Sequence, residues 1–176
     1  ELEEDVRHMG GTLLNTWRQH CYVADLRNWY YQLAEFTPRT WFYMDQLPQT
    51  GPFVLKGQTN SRKHNWATHM YAEDKVAAMQ VFSLLSADAY IGVQQIYARQ
   101  YVPLRKLCDG LQGLPISEEY RFFVLDGTVL SGGFYWSSHT EQLKELGIEI
   151  GVERVPCDWL QRIIDIVAPN IRFFVV

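Results

Sequence analysis

Hydrophobic and polar positions along the chain alternate between two periods. Phe53-Val54-Leu55 is apolar and ends on Lys56, and a wholly polar stretch, GQTNSRKHN (57–65), follows. WATHMY (66–71) then reads as a returning strand, so 53–71 predicts two antiparallel strands joined by a polar loop, with a turn at Thr50-Gly51-Pro52 before them. AEDKVAAMQVFSLLSAD (72–88) switches to helical spacing. Val76, Ala77, Met79, Gln80, Phe82, Ser83 and Leu84 are spaced so that one face is mostly apolar, and Glu73 and Asp74 stand in the first turn, where acids complement the helix dipole. AYIGVQQIYARQYVPL (89–104) returns to strand-like alternation. EEYRFFVLDGTVLSGGFYW (118–136) is a hairpin signature, two β-rich runs around Asp126-Gly127, which makes Asp126 a turn residue rather than a catalytic acid.

The two ends are mainly helical. DVRHMGGTLLNTWRQH and DLRNWYYQLAEF predict helical stretches interrupted by Gly10-Gly11, with Trp17, Trp29, Tyr30 and Tyr31 packing against the rest of the protein. SSHTEQLKELG predicts a short helix stopped by Gly147, and CDWLQRIIDIVA a helix with Trp159, Ile163 and Ile166 on one face. NIRFFVV is a closing strand. With no repeat or linker, this order predicts an α+β fold with largely antiparallel pairing.

Composition narrows the function classes. The 176 residues are 47% hydrophobic and 14% aromatic, enough for a sizeable core and against disorder. A net charge of -4 and a pI near 5.7 exclude a broad phosphate-backbone binder, so no nucleic-acid partner is expected. The cations instead come singly or in pairs (Arg62-Lys63, Arg105-Lys106), which suits a small polyanion such as a nucleotide. Cys21, Cys108 and Cys157 are widely spaced without a CxxC, so neither a disulfide framework nor a zinc site is expected. No apolar run reaches spanning length, and the N-terminus has no signal-like core, so the expectation is a cytoplasmic protein with no membrane partner.

Three cations interrupt or end β-type sequence: Lys56, Arg99 and Arg121. Arg99 shares a strand face with Tyr97 and Tyr101, and Arg121 with Glu119 and Phe123. A guanidinium inside a sheet needs a carboxylate or a phosphate, so each arginine is either half of an internal ion pair (Arg121 with Glu118 or Glu119) or an anion ligand. Arg62 and Lys63 sit on the polar loop, where they could fold over a bound anion. No GxxxxGK[ST] and no GxGxxG after a strand occurs, which removes P-loop and Rossmann readings. The histidines are scattered, and no metal ligands are assigned.

The order of pieces resembles the ATP-grasp superfamily, over about residues 37–176. TPRT (37–40) leads to PFVLKG, the loop QTNSRKHNW and a helix; then come VQQIYARQYVPL and the acid-x-Arg hairpin EEYRFFVLDGTVLSGGFYW. It is most similar to the clade named for two arginines and one lysine, common in bacteriophage and bacterial genomes. The resemblance implies two small α+β lobes around a nucleotide cleft: a helical segment 1–36, a first lobe 37–98 with a lid loop 57–66, and a second lobe 99–176. It implies that Lys56 contacts the nucleotide phosphates, with Arg62 and Lys63 in the lid and Glu119 also at the nucleotide. Gln100, Tyr101 and Val102 would form a hinge that meets adenine, and Arg99 and Arg121 would bind phosphate or an acyl phosphate.

The implied activity is that of a ligase. ATP with Mg2+ phosphorylates an unidentified carboxylate, and an amine or similar nucleophile attacks the acyl phosphate. ATP-grasp enzymes hold magnesium through acids late in the fold, and IRFFVV stops at Val176 before such a strand; a shortened segment or a catalytically silent nucleotide-binding or interaction module is therefore the alternative. FVLKG also resembles the lysine motif of covalent nucleotidyl transferases, but it lacks the Lys-x-Asp-Gly pattern, leaving that reading third. Substrate selection is expected to involve the N-terminal region and the 104–117 connection.

Overall fold

The computed structural model describes residues 2–110 and 114–176. It divides into two compact units, one made of Ala34–Glu118 with Glu141–Ile148, the other of Glu1–Leu33, Glu119–Thr140 and Glu149–Val176. Among the described residues no helix is long and apolar enough to cross a membrane, and Cys21, Cys108 and Cys157 are free thiols.

The N-terminal sequence forms α1 (Leu2–His8), α2 (Trp17–Ala24) and α3 (Leu26–Trp29). Thr16 starts α2 with a capping box, its hydroxyl accepting from Gln19 N while Gln19 Oε1 accepts from Thr16 N. The expected packing of the aromatics holds for Tyr30, which is buried, but Trp17 and Tyr31 are 70% and 75% exposed. Trp17 stacks on His20 within its own helix instead.

The first unit is organised by a four-stranded antiparallel sheet in the order β1 (Thr40–Trp41), β4 (Ile96–Gln100), β2 (Thr50–Gly57), β3 (Tyr71–Asp74). Thr50-Gly51-Pro52 is part of β2, beside an irregularity in its pairing with β3, rather than a separate turn. The returning strand also begins later than expected. Trp66–His69 is a single helical turn, α4, which lets Trp66 lie back over Tyr71 and Tyr101; tertiary aromatic packing overrides the strand pattern there.

α5 (Lys75–Ser86) covers one face of this sheet. Asp74 precedes the helix and caps it, accepting from Ala77 N at 2.8 Å. Its buried face is Ala78, Val81 and Leu85, packed with Phe53, Leu55, Ala72, Ile91, Ile96 and Ala98. Val76, Met79 and Leu84, expected on the core side, are exposed. Two apolar arcs share this helix, and the one rich in small and branched residues fits against the sheet. The strand expected over 89–104 shortens to β4, because 88–94 folds into turns, with Gly92 N donating to Asp88 O at 2.8 Å. A Cβ on Gly92 would sit 2.2 Å from Ser86 O, so only glycine allows this approach.

The connection that follows holds a two-stranded ribbon, β5 (Lys106–Asp109) and β6 (Pro115–Ser117); residues 111–113 of the 104–117 segment lie outside the described residues. α6 (Thr140–Glu145) ends as expected at Gly147, with Gly147 N donating to Lys144 O and Ile148 N to Leu143 O, the paired bonds of a Schellman stop.

The other unit carries a three-stranded antiparallel sheet, β8 (Thr128–Phe134), β7 (Tyr120–Leu125) and β9 (Phe173–Val175). The hairpin turns at Asp126 (φ 47°) and Gly127 (φ 77°), consecutive left-handed residues that match strand twist. Arg172 donates to both Asp126 oxygens at 2.8 Å, which commits that carboxylate to structure. α7 (Cys157–Val167) buries Leu160, Ile163, Ile164 and Val167, while Trp159 is 40% exposed; the buried arc is thus one position round from the expected one. Asn15 joins the ends of the chain: its amide donates to Phe173 O and accepts from Phe173 N, standing in for a neighbouring strand at the edge of β9.

Candidate functional site

Strand register defines the site. Val54 pairs with Arg99 and Lys56 with Tyr97 across β2 and β4, and the same row continues to Thr40 on β1 and Tyr71 on β3. Side chains alternate along a strand, so Lys56, Arg99, Tyr97, Val54 and Tyr71 share one face. Phe53, Leu55 and Ala98, which pack with α5, occupy the other. Two of the expected anion ligands are therefore diagonal neighbours on the face of the sheet opposite α5, where Tyr97 between them is fully buried. Arg99 is oriented by the preamble: its Nη2 donates to Thr37 Oγ1.

Aromatic rings flank these cations. Tyr71 and Tyr101 meet edge to face at 5.3 Å, and Trp66 lies 6.4 Å from Tyr71 and 6.3 Å from Tyr101. At the other side Phe42 meets Tyr97 at 5.1 Å. Trp66 and Tyr71 were not among the residues the sequence singled out; the available signal was the pairing of β2 with β3, which sets Tyr71 opposite Val54.

The hinge residues divide by direction. Gln100 N donates to Arg39 O at 2.7 Å and Tyr101 N to Pro52 O at 3.0 Å, so both amides serve the sheet. Gln100 pairs with Phe53, which turns its side chain to the α5 face, whereas Tyr101 stands with the aromatic group and Val102 is 42% exposed.

The loop after β2 is tied down on the helix-covered side. Gln58 N donates to Gln95 O, and Thr59 N and Oγ1 both donate to Gln94 Oε1. Arg62 Nε and Nη2 donate to the two oxygens of Asp88 at 2.6 Å, and its guanidinium lies 5.5 Å from the Tyr90 ring centroid. The Arg62 contact, helped by amides of Ile91 and Tyr90, holds the Asp88 carboxyl well below the usual carboxylate range, and Asp88 in turn raises Arg62. Lys63 opens a short 3-10 turn, Lys63–Asn65.

Arg121 and Glu119 belong to the unit of β7 and β8. Arg121 is exposed, with its guanidinium 4.3 Å from the Tyr135 ring centroid. The carboxylates weighed as its partners are used elsewhere: Glu118 pairs with Arg105 at 2.9 Å, and Glu119 accepts from Trp136 Nε1 at 3.0 Å. Among the described residues no group of three or more His, Cys, Asp or Glu side chains is arranged to hold a metal ion.

The model of an ATP-grasp domain family, the third family of the clade named for two arginines and one lysine, matches residues 44–174. Solved structures similar to this chain include Cdc123 from Schizosaccharomyces pombe, at 13% identity and a TM-score of 0.53 over 93% of this chain and 80% of that one. A C-terminally truncated Cdc123 from the same organism matches at 12% identity and a TM-score of 0.49, over 93% and 81%. No curated protein sequence matches the chain.

Proposed function

The chain belongs to the ATP-grasp domain family, in the third family of the two-arginine, one-lysine clade, and from that premise we propose that it is an ATP-dependent ligase joining a carboxylate to an amine or similar nucleophile. The observation that carries the reading is the common face of Lys56 and Arg99, two cations of neighbouring strands flanked by aromatic rings. Phosphoryl transfer asks mainly for positioned positive charge, which such a pair supplies.

In this reading Lys56 and Arg99 bind the phosphate chain, and Thr37 keeps the Arg99 guanidinium in place. The purine lies against Tyr101, Trp66 and Tyr71. Because the Gln100 and Tyr101 amides are spent on the sheet, polar recognition of adenine falls to hinge carbonyls and the Val102 amide. Arg121 is assigned to a transferring phosphoryl or acyl-phosphate oxygen, a role supported by its exposure and by the use of Glu118 and Glu119 elsewhere.

The reaction balances as two displacements. A carboxylate oxygen attacks the γ-phosphorus and the bond to the β-γ bridging oxygen breaks, releasing ADP. The amine nitrogen then attacks the acyl carbon, phosphate leaves with the C–O pair, and the nitrogen loses its proton. ATP-grasp chemistry employs Mg2+, but the described side chains do not fit a protein-built metal cage, so no step is assigned to the ion. The second reading is a nucleotide-binding module without turnover.

The test is incubation with ATP, Mg2+ and a panel of carboxylates and amines. ADP and phosphate release dependent on both co-substrates supports the ligase. ATP binding without release in any combination supports the silent module, and an AMP adduct on Lys56 that survives denaturation would establish the covalent nucleotidyl transferase instead.

A further inference from the structure

The loop that follows Lys56 is tied, through Thr59 and Arg62, to the segment after α5. Leu55 and Gly57 face the α5 layer, with Ile91 and Gln94 beside Gly57, and Lys56 faces the opposite side. Gln58 N extends the β2–β4 ladder by donating to Gln95 O, and beyond it Thr59 and Arg62 are fastened to Gln94 and Asp88, in the segment after α5 that also holds Ile91. Arg62 is the strongest of these ties: a two-bond fork to a carboxylate, over a tyrosine ring, with both partners largely covered (side chains 24% and 14% exposed).

Asp88 is prepared for this role independently of Arg62. Its Oδ1 accepts from Tyr90 N at 2.8 Å and Ile91 N at 3.0 Å, fixing the carboxylate at the head of its turn. The socket thus stays formed when the guanidinium leaves. Carboxylate and phosphate present similar oxygen pairs to a guanidinium, so a polyanion on the Lys56 face competes for the same fork.

We propose that Asp88 is a latch that parks the 57–66 loop away from the Lys56–Arg99 face, and that a bound triphosphate draws Arg62 off Asp88 to close the loop over it. This rests on the nucleotide reading given above and adds its regulation. The apparent affinity for ATP is then reduced by the fraction of molecules in the latched state.

Asp88→Asn is the informative change, since an asparagine oxygen still accepts from the Tyr90 and Ile91 amides while the charge is lost. Two readouts are needed: the rate of tryptic cleavage after Arg62 without nucleotide, compared between wild type and Asp88→Asn, and the affinity for ATP in the presence of Mg2+, measured in wild type, Asp88→Asn, Arg62→Gln and the double variant. The expected result is faster cleavage in Asp88→Asn and ATP binding tightened by about threefold or more, with the tightening absent when Arg62→Gln is also present. Unchanged cleavage, or ATP binding by Asp88→Asn no tighter than wild type, overturns the latch while leaving the nucleotide reading intact. Faster cleavage with no ATP binding even by wild type supports the parked loop and refutes the nucleotide reading. Thermal melting of each variant separates these outcomes from a loss of fold: Arg62→Gln melting like wild type but binding ATP as tightly as wild type also overturns the proposal.

Discussion

Lys56 and Arg99 are diagonal neighbours on β2 and β4, because Lys56 pairs with Tyr97 and Val54 with Arg99. Their side chains therefore emerge on one face, the one opposite α5.

Arg121→Ala is expected to lose turnover while keeping its fold. The residue is exposed and its contact is a ring face at 4.3 Å, worth about 0.5 to 1 kcal/mol at such a site. Steady-state ADP release beside a melting curve checks this; a large drop in melting temperature with turnover intact would show a structural role.

Trp66→Ala is expected to weaken ATP by roughly 1 to 3 kcal/mol, the value of one base-aromatic stack, and to leave inorganic tripolyphosphate binding unchanged. Titration of both ligands decides it. Equal loss for both would mean that Trp66 supports the cations rather than the base.

Gly92→Ala is expected to destabilise the first unit, because its Cβ meets the Ser86 carbonyl oxygen at 2.2 Å and backbone cannot yield cheaply. A lowered melting temperature is the readout. No change would mean that the 88–92 turn relaxes freely.

The Asp88–Arg62 pair makes stability depend on pH in acid. Asp88 is depressed in the folded state, so its contribution is fully present above the unfolded carboxyl value near pH 4 (about 3.9) and is lost as pH falls toward the lower folded value. Across that window wild type is expected to lose more stability than Asp88→Asn. Parallel melting curves for the two proteins below about pH 4 would contradict it.

What the sequence revealed was local. The strand ending at Lys56, the Asp126-Gly127 hairpin and the Gly147 stop are each written in a few adjacent residues, and each is present. The buried arcs of α5 and α7 differ from the expected ones because both helices carry apolar residues on more than one side, so periodicity alone does not choose between them. The pattern at 66–69 predicts strand, whereas the helical turn of α4 is supported by Tyr71 and Tyr101, the latter 35 positions away in the chain from Trp66. The engagement of Arg62 by Asp88 spans 26 residues and leaves no mark in spacing. For the candidate site, alternation correctly grouped Arg99 with Tyr97 and Tyr101, but the strand register was needed to bring Lys56 beside them.

The most direct measurement is a calorimetric titration of ATP into wild type and Lys56→Ala, both verified as folded. The account expects wild type to bind and Lys56→Ala to be weaker by roughly 1.5 to 3 kcal/mol, the worth of a charge-assisted contact. Equal ATP affinity in the two proteins would contradict it.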